Sequence, residues 1–470
     1  MERFDVIVIG GGSAGLVTAA GSAGIGARPA LIERDRLGGE CLWTGCVPSK
    51  ALLACAKLAA HASSGARFGI DATVRVDFAR AMQWVHGART RIEPNDSPER
   101  FRRLGVEVVQ GTARFTRARV VEVDGRQLTA RRIVVATGSR PAVPPVRGLD
   151  DVPYLTNESI FEIAERPAHL VVLGGGPIGL ELAQAFVRLG SRVTVVESSS
   201  TLLSMEEPEL VESLSARLVS EGVDLHLGAK AVEANRTPGG VSLTLESAGG
   251  RRVVEGSHLL VATGRVSRTE TLDLASAGVA VGERGIIVDE HLRTTADGVW
   301  ACGDVVGGPR FTHVADYQAR LVVRNAFFPL KAKADYTAIP WVTYTDPELA
   351  HVGLTERDAR MRYGSDVRVF TRSFSDVDRA IAEGETEGMV KIVTRGNGAL
   401  LGGHILAAGA GDMIGEIALA LKHGLGINSL ASLVHPYPTM PEAIRQAAEG
   451  FNKARFTGIP RAIARWFARR

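Results

Sequence analysis

Apolar runs long enough to cross a bilayer are missing from this sequence. The best candidate, Leu170 to Leu189, is broken by Glu181, Gln184 and Arg188, whereas a spanning helix needs about 20 predominantly apolar residues. A basic leader followed by an apolar stretch and a cleavage site is also missing, because Met1 to Gly10 runs directly into a strand-like segment. The expectation is a cytoplasmic protein. Charge of one sign is scarce too: the net charge is +3 with histidine neutral. A nucleic-acid surface needs clustered excess Lys and Arg, so none is expected. Cysteine is rare, four in 470 residues, and two of the four sit five positions apart. In a reducing compartment such a pair is more often redox-active or metal-binding than structural.

Glycine is what the chain has in abundance. Its 53 glycines gather in short turns, which points to nucleotide phosphates rather than disorder. A chain of 470 residues also exceeds one ordinary core and predicts about two to four domains.

Two segments echo each other. Asp5 to Gly15 and His169 to Gly179 are each a short apolar run, a Gly-rich turn and a helix-forming stretch. Each is followed by an acid, Glu33 in the first copy and Glu197 in the second. Ile133 to Gly138 and Leu259 to Gly264 form a second echo, both strand-like and both ending Ala-Thr-Gly. The proline-rich stretch Pro141 to Pro153 between the copies reads as a linker. From about Tyr336 no fingerprint recurs. Strand-like runs Met389 to Val393 and Leu400 to Leu406, then a helical stretch Asp412 to His423, predict a separate α+β domain. The basic terminal stretch Arg461 to Arg470 reads as a solvated helix.

In the first fingerprint, Gly10 makes the tight turn, Gly12 lets the backbone approach a pyrophosphate, and Gly15 lets helix and strand pack closely. Glu33 falls where a carboxylate accepts from ribose hydroxyls. Gly174, Gly176, Gly179 and Glu197 repeat the pattern. An acid at Glu197 suits the free 2′-hydroxyl of NAD, and Ser198 to Leu203 contain no Arg or Lys. NADH is therefore favoured over NADPH.

Cys41 and Cys46 stand just before a helical run, Ala51 to Ala60. Thiols near a helix start have lowered pKa values and exchange disulfides readily. A zinc half-site is the competing reading, but about four ligands are needed and no partnering Cys/His cluster is evident. No metal is expected. Cys55 and Cys302 read as small buried hydrophobes. Asp378, Arg379, His61, His86, His313 and His404 read as ordinary structural or surface residues.

The block Cys41-Leu-Trp-Thr-Gly-Cys46-Val-Pro-Ser-Lys50 and the later Thr294 to Asp304 resemble the pyridine nucleotide–disulfide oxidoreductases: dihydrolipoamide dehydrogenase, glutathione reductase and mercuric reductase. The resemblance covers essentially the whole chain. It implies an α/β fold with two Rossmann-like nucleotide-binding domains, for FAD and NAD(P), plus a C-terminal α+β dimerisation domain. The implied order is an FAD-binding domain over 1–150 and 266–335, a nicotinamide-nucleotide domain over 151–265, and an interface domain over 336–470. The implied FAD residues are Gly10, Gly12, Ser13, Ala14, Gly15, Glu33, Gly39, Lys50, Thr137, Gly138, Gly303 and Asp304. Those for NAD are Gly174, Gly176, Ile178, Gly179, Glu197 and Gly264. Lys50 would sit beside the flavin and pair with Glu181. Electrons would pass from the nicotinamide through the flavin to Cys46, with Cys41 as the thiolate that meets the acceptor. Trp43 and Thr44 would shape access to it.

The family also supplies a His–Glu acid–base dyad from the second subunit of a homodimer, in a His-Pro-Thr-x-x-Glu signature. This chain reads His435-Pro-Tyr437-Pro-Thr-Met-Pro-Glu442. Tyr437 holds the catalytic His place and His435 lies two residues earlier. Tyrosine, with a reference pKa of about 10, is a poor proton shuttle at neutral pH. Mercuric reductases resemble this chain in carrying Tyr there, but their C-terminal cysteine pair has no counterpart, since the last cysteine is Cys302. The expectation is a flavoprotein reductase of a disulfide, a thiophilic metal or a small acceptor. The alternatives are a lipoamide dehydrogenase using His435 and a flavin-binding redox sensor or complex subunit of low turnover.

Overall fold

The computed structural model describes residues 1–455 and 464–469, so the terminal stretch 461–470 lies in part outside the described residues. The chain divides into two compact units, Met1–Val196 with Lys230–Ala334, and Glu197–Ala229 with Asp335–Arg470.

In the first unit, the opening apolar run is the strand Glu2–Ile9. It pairs in parallel with Pro29–Glu33 on one side and Arg126–Val135 on the other. Glu107–Gln110 extends the sheet beyond Pro29–Glu33, and Val299–Ala301 joins in parallel beside Arg126–Val135. The hairpin Ala113–Arg117 and Val120–Val123 completes it antiparallel. The central strands are buried on both faces, which explains why they read as continuous Val and Ile rather than alternating.

The second echo builds the same core motif. His169–Leu173 lies parallel between Arg192–Val196 and His258–Val261. The duplication extends to single hydrogen bonds. The Gly10 N–H donates to the Ile32 carbonyl at 2.8 Å and the Gly174 N–H to the Val196 carbonyl at 2.9 Å. The Ala136 and Ala262 N–H groups donate to Ile9 and Leu173 carbonyls, each at 2.8 Å. The linker expectation for Pro141 to Pro153 is modified at its start: Ser139–Pro141 pairs antiparallel with Arg265–Ser267, forming a two-stranded ribbon.

The second unit is α+β. Its antiparallel sheet runs Pro340–Thr343, Glu348–Gly353, Leu400–Ala407, Met389–Arg395, Val367–Ser373. The helices Ala410–Lys422 and Glu442–Arg455 bury Ile414, Ile417, Ile444, Ala447 and Phe451 into one core with Ile392 and Ile405. The segment from Glu197 contributes the helix Pro208–Ser220, which buries Leu210, Leu214 and Leu218.

Candidate active site

Both Gly-rich turns end at helix starts that carry no side-chain cap. The helix Ser13–Gly24 follows Gly12, and Pro177–Arg188 follows Gly176. Their first N–H groups therefore need partners from elsewhere, and the helix dipole favours an anion there. The glycines divide by role. A Cβ on Gly10 (φ +107°) would stand 2.4 Å from the Ala136 carbonyl oxygen, and one on Gly15 only 1.7 Å from that of Gly10. Gly174 and Gly179 repeat these clashes at 2.4 and 2.1 Å. At Gly12 the nearest atom to a Cβ is Gly39 Cα at 3.8 Å, and at Gly176 none lies within 4 Å. Among the described residues no close neighbour requires glycine at these two positions, which leaves room for a phosphate group beside each helix start.

The acid of the first copy meets backbone. Glu33 accepts from the Gly11 N–H at 2.6 Å and the Asp35 N–H at 2.8 Å. Glu197 directly follows the strand Arg192–Val196 and accepts from the Ser199 N–H at 2.7 Å and the Ser198 hydroxyl at 3.1 Å.

Cys46 is the first residue of the helix Cys46–Ser63, so the helix begins at the second cysteine rather than at Ala51. Cys41 lies in the short helix Gly39–Trp43. Both are free thiols here, Cys41 half-buried and Cys46 exposed. The Cys41 thiol donates to Cys46 and lowers the Cys46 pKa to about 6 against the opposing effect of burial, helped by the Thr312 hydroxyl and the Lys50 charge. The same hydrogen bond, with burial, drives Cys41 upward. Thr312 Oγ1 stands 3.4 Å from Cys46 Sγ. Lys50, one helical turn beyond Cys46, donates to Glu181 at 2.8 Å, and Glu181 is buried on the helix Pro177–Arg188. The pair holds a cation beside the thiols.

A second network anchors the Cys41 helix. Glu40 accepts from Asn157 Nδ2 at 2.5 Å and from Arg265. Arg265 also donates to the Ser139 hydroxyl at 2.8 Å, which donates to Asp304 at 2.5 Å. Burial raises the Glu40 pKa, and Arg265 opposes that rise. Trp43 donates from Nε1 to the Leu37 carbonyl at 2.7 Å, under the Arg36 guanidinium. Gly303, at φ +78°, donates from its N–H to Gln318 at 2.7 Å.

In the second unit His435, Tyr437 and Glu442 take separate partners. His435 Nε2 is 2.9 Å from Glu416 Oε2, and its Nδ1 is buried without a hydrogen bond among the described residues. Tyr437 is 71% exposed and donates from its hydroxyl to Asp378 at 2.8 Å, which raises its pKa. Glu442 accepts from Arg445 at 2.8 Å. Asp378 is thus a phenol partner rather than an ordinary surface acid. His404 is not isolated either: its ring meets His351 edge-on, with centroids 4.3 Å apart. Cys302 is buried, its pKa pushed up to about 12 by burial, whereas Cys55 is only half-buried.

The family described as pyridine nucleotide-disulphide oxidoreductase matches residues 4–319, and its dimerisation domain matches residues 339–448. This chain belongs to the pyridine nucleotide-disulphide oxidoreductases. Such oxidoreductases are FAD-dependent, use pyridine nucleotides and act on sulfur groups. The dimerisation domain supports a homodimer. The chain is 40% identical over 457 residues to a mercuric reductase of Streptomyces lividans, covering 95% of this chain and 96% of that one. It is 38% identical over 462 residues to dihydrolipoyl dehydrogenase 3 of Pseudomonas aeruginosa, covering 95% and 98%. Among solved oxidoreductases of this kind, the Cu(II) complex of the HOCl-induced flavoprotein disulfide reductase of Escherichia coli superposes with a TM-score of 0.85. That match has 29% identity and covers 96% of this chain and 99% of that chain. Among the described residues no helix is long and apolar enough to cross a membrane.

Thr312, Glu40, Asn157 and Arg265 were not evident as site residues of this oxidoreductase in its sequence. Glu40 stands next to Cys41, which is a signal of position. Thr312 is 266 residues from Cys46 and carries none.

Proposed function

We propose that this chain is an NADH-dependent flavoprotein reductase whose Cys41–Cys46 pair hands electrons to a soft, thiophilic acceptor rather than to lipoamide. The carrying observation is the partnering of the C-terminal acid–base groups. Tyr437, in the usual histidine place, donates a hydrogen bond to Asp378 and is held above the ordinary phenol range. It is not a base at neutral pH. His435 is engaged with Glu416 and its other nitrogen is buried. An acceptor that must be reduced and ligated, but whose leaving thiol need not be protonated, suits this set. Bound FAD supplies the two-electron relay between nicotinamide and disulfide. The chain's residues do the rest: Gly12 and Gly176 admit the pyrophosphates, Lys50 and Glu181 place a cation beside the thiols, and Cys46 holds the thiolate. Two electrons convert the disulfide to the dithiol, and reduction of the acceptor returns it to the disulfide.

The test is an anaerobic titration of the flavoprotein with NADH and with NADPH, then an acceptor screen with Hg(II), small disulfides and lipoamide. A long-wavelength thiolate–flavin band that is lost in Cys46→Ser, a KM for NADH at least tenfold below that for NADPH, and poor lipoamide turnover are expected. Bleaching without that band, or fast lipoamide reduction abolished by His435→Ala, would overturn the reading. The lipoamide dehydrogenase alternative draws on the same His435–Glu416 pair, a histidine already oriented by a carboxylate.

A further inference from the structure

The second unit contains a cluster that the reductase reading does not use. His351 and His404 face each other across paired strands Glu348–Gly353 and Leu400–Ala407, so both rings project from one face. Their side chains are 3% and 0% exposed, and that of Glu206 is 6% exposed. A ring nitrogen of each histidine and a carboxylate oxygen of Glu206 lie within 4.8 Å of one another. Tetrahedral ligands of zinc stand about 3.4 Å apart, given metal–ligand distances of about 2.0–2.1 Å, so small side-chain rotations close the set.

Proton accounting singles out this cluster. His351 Nε2 faces the Gly353 carbonyl at 3.0 Å and His404 Nε2 faces the Leu354 carbonyl at 3.1 Å. A carbonyl only accepts, so both Nε2 atoms carry hydrogen. That is the outer-shell arrangement that orients metal-binding imidazoles. Among the described residues His404 Nδ1 is buried with no hydrogen-bond partner. With the hydrogen of His404 on Nε2 toward the Leu354 carbonyl, the Nδ1 of the neutral tautomer presents a lone pair. His351 Nδ1 stands 2.8 Å from Glu206 Oε2, and one exchangeable proton must lie between them. The other oxygen of Glu206 accepts from Trp341 Nε1 at 2.6 Å, and the Trp341 ring stacks on His351 at 3.8 Å. The carboxylate is thereby fixed in place. The surroundings are acidic: Glu207, Glu209 and Glu356 join Glu206, opposed by Lys391, which pairs with those three, and by Arg360 on Glu356.

We propose that Glu206, His351 and His404 bind a single Zn2+ ion. The two-nitrogen, one-carboxylate donor set suits a borderline cation and not Ca2+ or Mg2+, which take oxygen ligands. Zinc takes the place of the proton between His351 and Glu206, and that proton leaves to buffer. Nothing is oxidised or reduced. Affinity falls as pH falls, because the departing proton competes for the same atoms. The groups facing the site, Glu207, Glu209, Glu356, Lys391 and Arg360, set the local field.

The experiment uses the FAD-loaded full chain carrying Cys41→Ser and Cys46→Ser, so that the thiols do not capture the metal. Equilibrium dialysis and calorimetry in buffers of different ionisation heat should show one Zn2+ per chain and one proton released. Glu206→Gln and His404→Gln should each weaken binding by at least about tenfold. Ni2+ at the same site should quench part of the indole fluorescence, and Trp341→Phe should remove that quenching while Zn2+ still binds. If His404→Gln does not fold, Glu206→Gln and the Trp341 quenching decide. Absence of bound Zn2+ in the chain carrying Cys41→Ser and Cys46→Ser, or undiminished affinity in Glu206→Gln, would overturn the proposal and leave a proton as the cation held there.

Discussion

Cys46 is poised by three neighbours of unequal visibility. The Cys41 thiol and the Lys50 charge come from the same short block, whereas the Thr312 hydroxyl comes from the far end of the unit. Its folded pKa, about 6, is depressed below the ordinary thiol value. The thiolate is therefore present above about pH 6 and lost as pH falls through that value. In the two-electron-reduced protein the thiolate–flavin absorbance should titrate away with that midpoint. Thr312→Val removes one hydrogen bond to the thiolate, worth about 1–1.5 kcal/mol, and should raise the midpoint by about one unit. An unchanged midpoint would show that Thr312 contributes nothing to the thiolate. Tyr437→His places an imidazole where the phenol stands, and lipoamide turnover should rise at least tenfold, measured with NADH at neutral pH. Legibility at this scale follows sequence distance. Cys41, Cys46 and Lys50 could be read in one line of text. Asp378, 59 residues from Tyr437, looked like any surface acid, because only the fold brings the two together.

The two fingerprint elements make a sharper test than either does alone, since one set of glycines is required by the protein's own packing and the other is not. Gly15→Ala puts a methyl 1.7 Å from the Gly10 oxygen, and should destabilise the fold by about 3 kcal/mol or more, read in urea unfolding. Gly176→Ala meets nothing within 4 Å, and should leave stability within about 0.5 kcal/mol of the parent while raising the KM for nicotinamide nucleotide about tenfold or more. A stability loss in Gly176→Ala would mean the space in front of the helix is not reserved for a ligand. These elements were legible because local period and turn chemistry specify them. The ribbon of Ser139–Pro141 with Arg265–Ser267 was not. A three-residue strand has no period to read, and its partner lies more than a hundred positions away.

Over the whole molecule, the division of the chain is less simple than its order in sequence. The segment Glu197–Ala229 clusters with the C-terminal residues, and its acids surround the buried ammonium of Lys391. Lys391 and Glu207 are each 2% exposed and 2.7 Å apart. Burial alone would lower the lysine pKa, but the hydrogen bonds Lys391 donates to Glu207, Glu209 and Glu356 outweigh it and raise that pKa. Lys391→Met leaves buried carboxylate uncompensated and should cost about 3–5 kcal/mol in thermal or urea unfolding, with partial recovery on adding Glu207→Leu. The α+β character of this unit could be read from its strand-like and helical runs. The ion cluster could not, because periodicity reports which face is buried and says nothing about which charges share it.

The uncapped starts of the two Gly-rich helices carry a consequence for the life of the protein in a cell. Neither helix start carries a side-chain cap, so a nucleotide phosphate bound there would raise occupancy and stability together by mass action. A chain made when flavin is scarce would open more often and be cleared by proteases, rather than persist as an idle enzyme. Riboflavin supply would then set how much of this reductase a cell keeps, before any control on its synthesis.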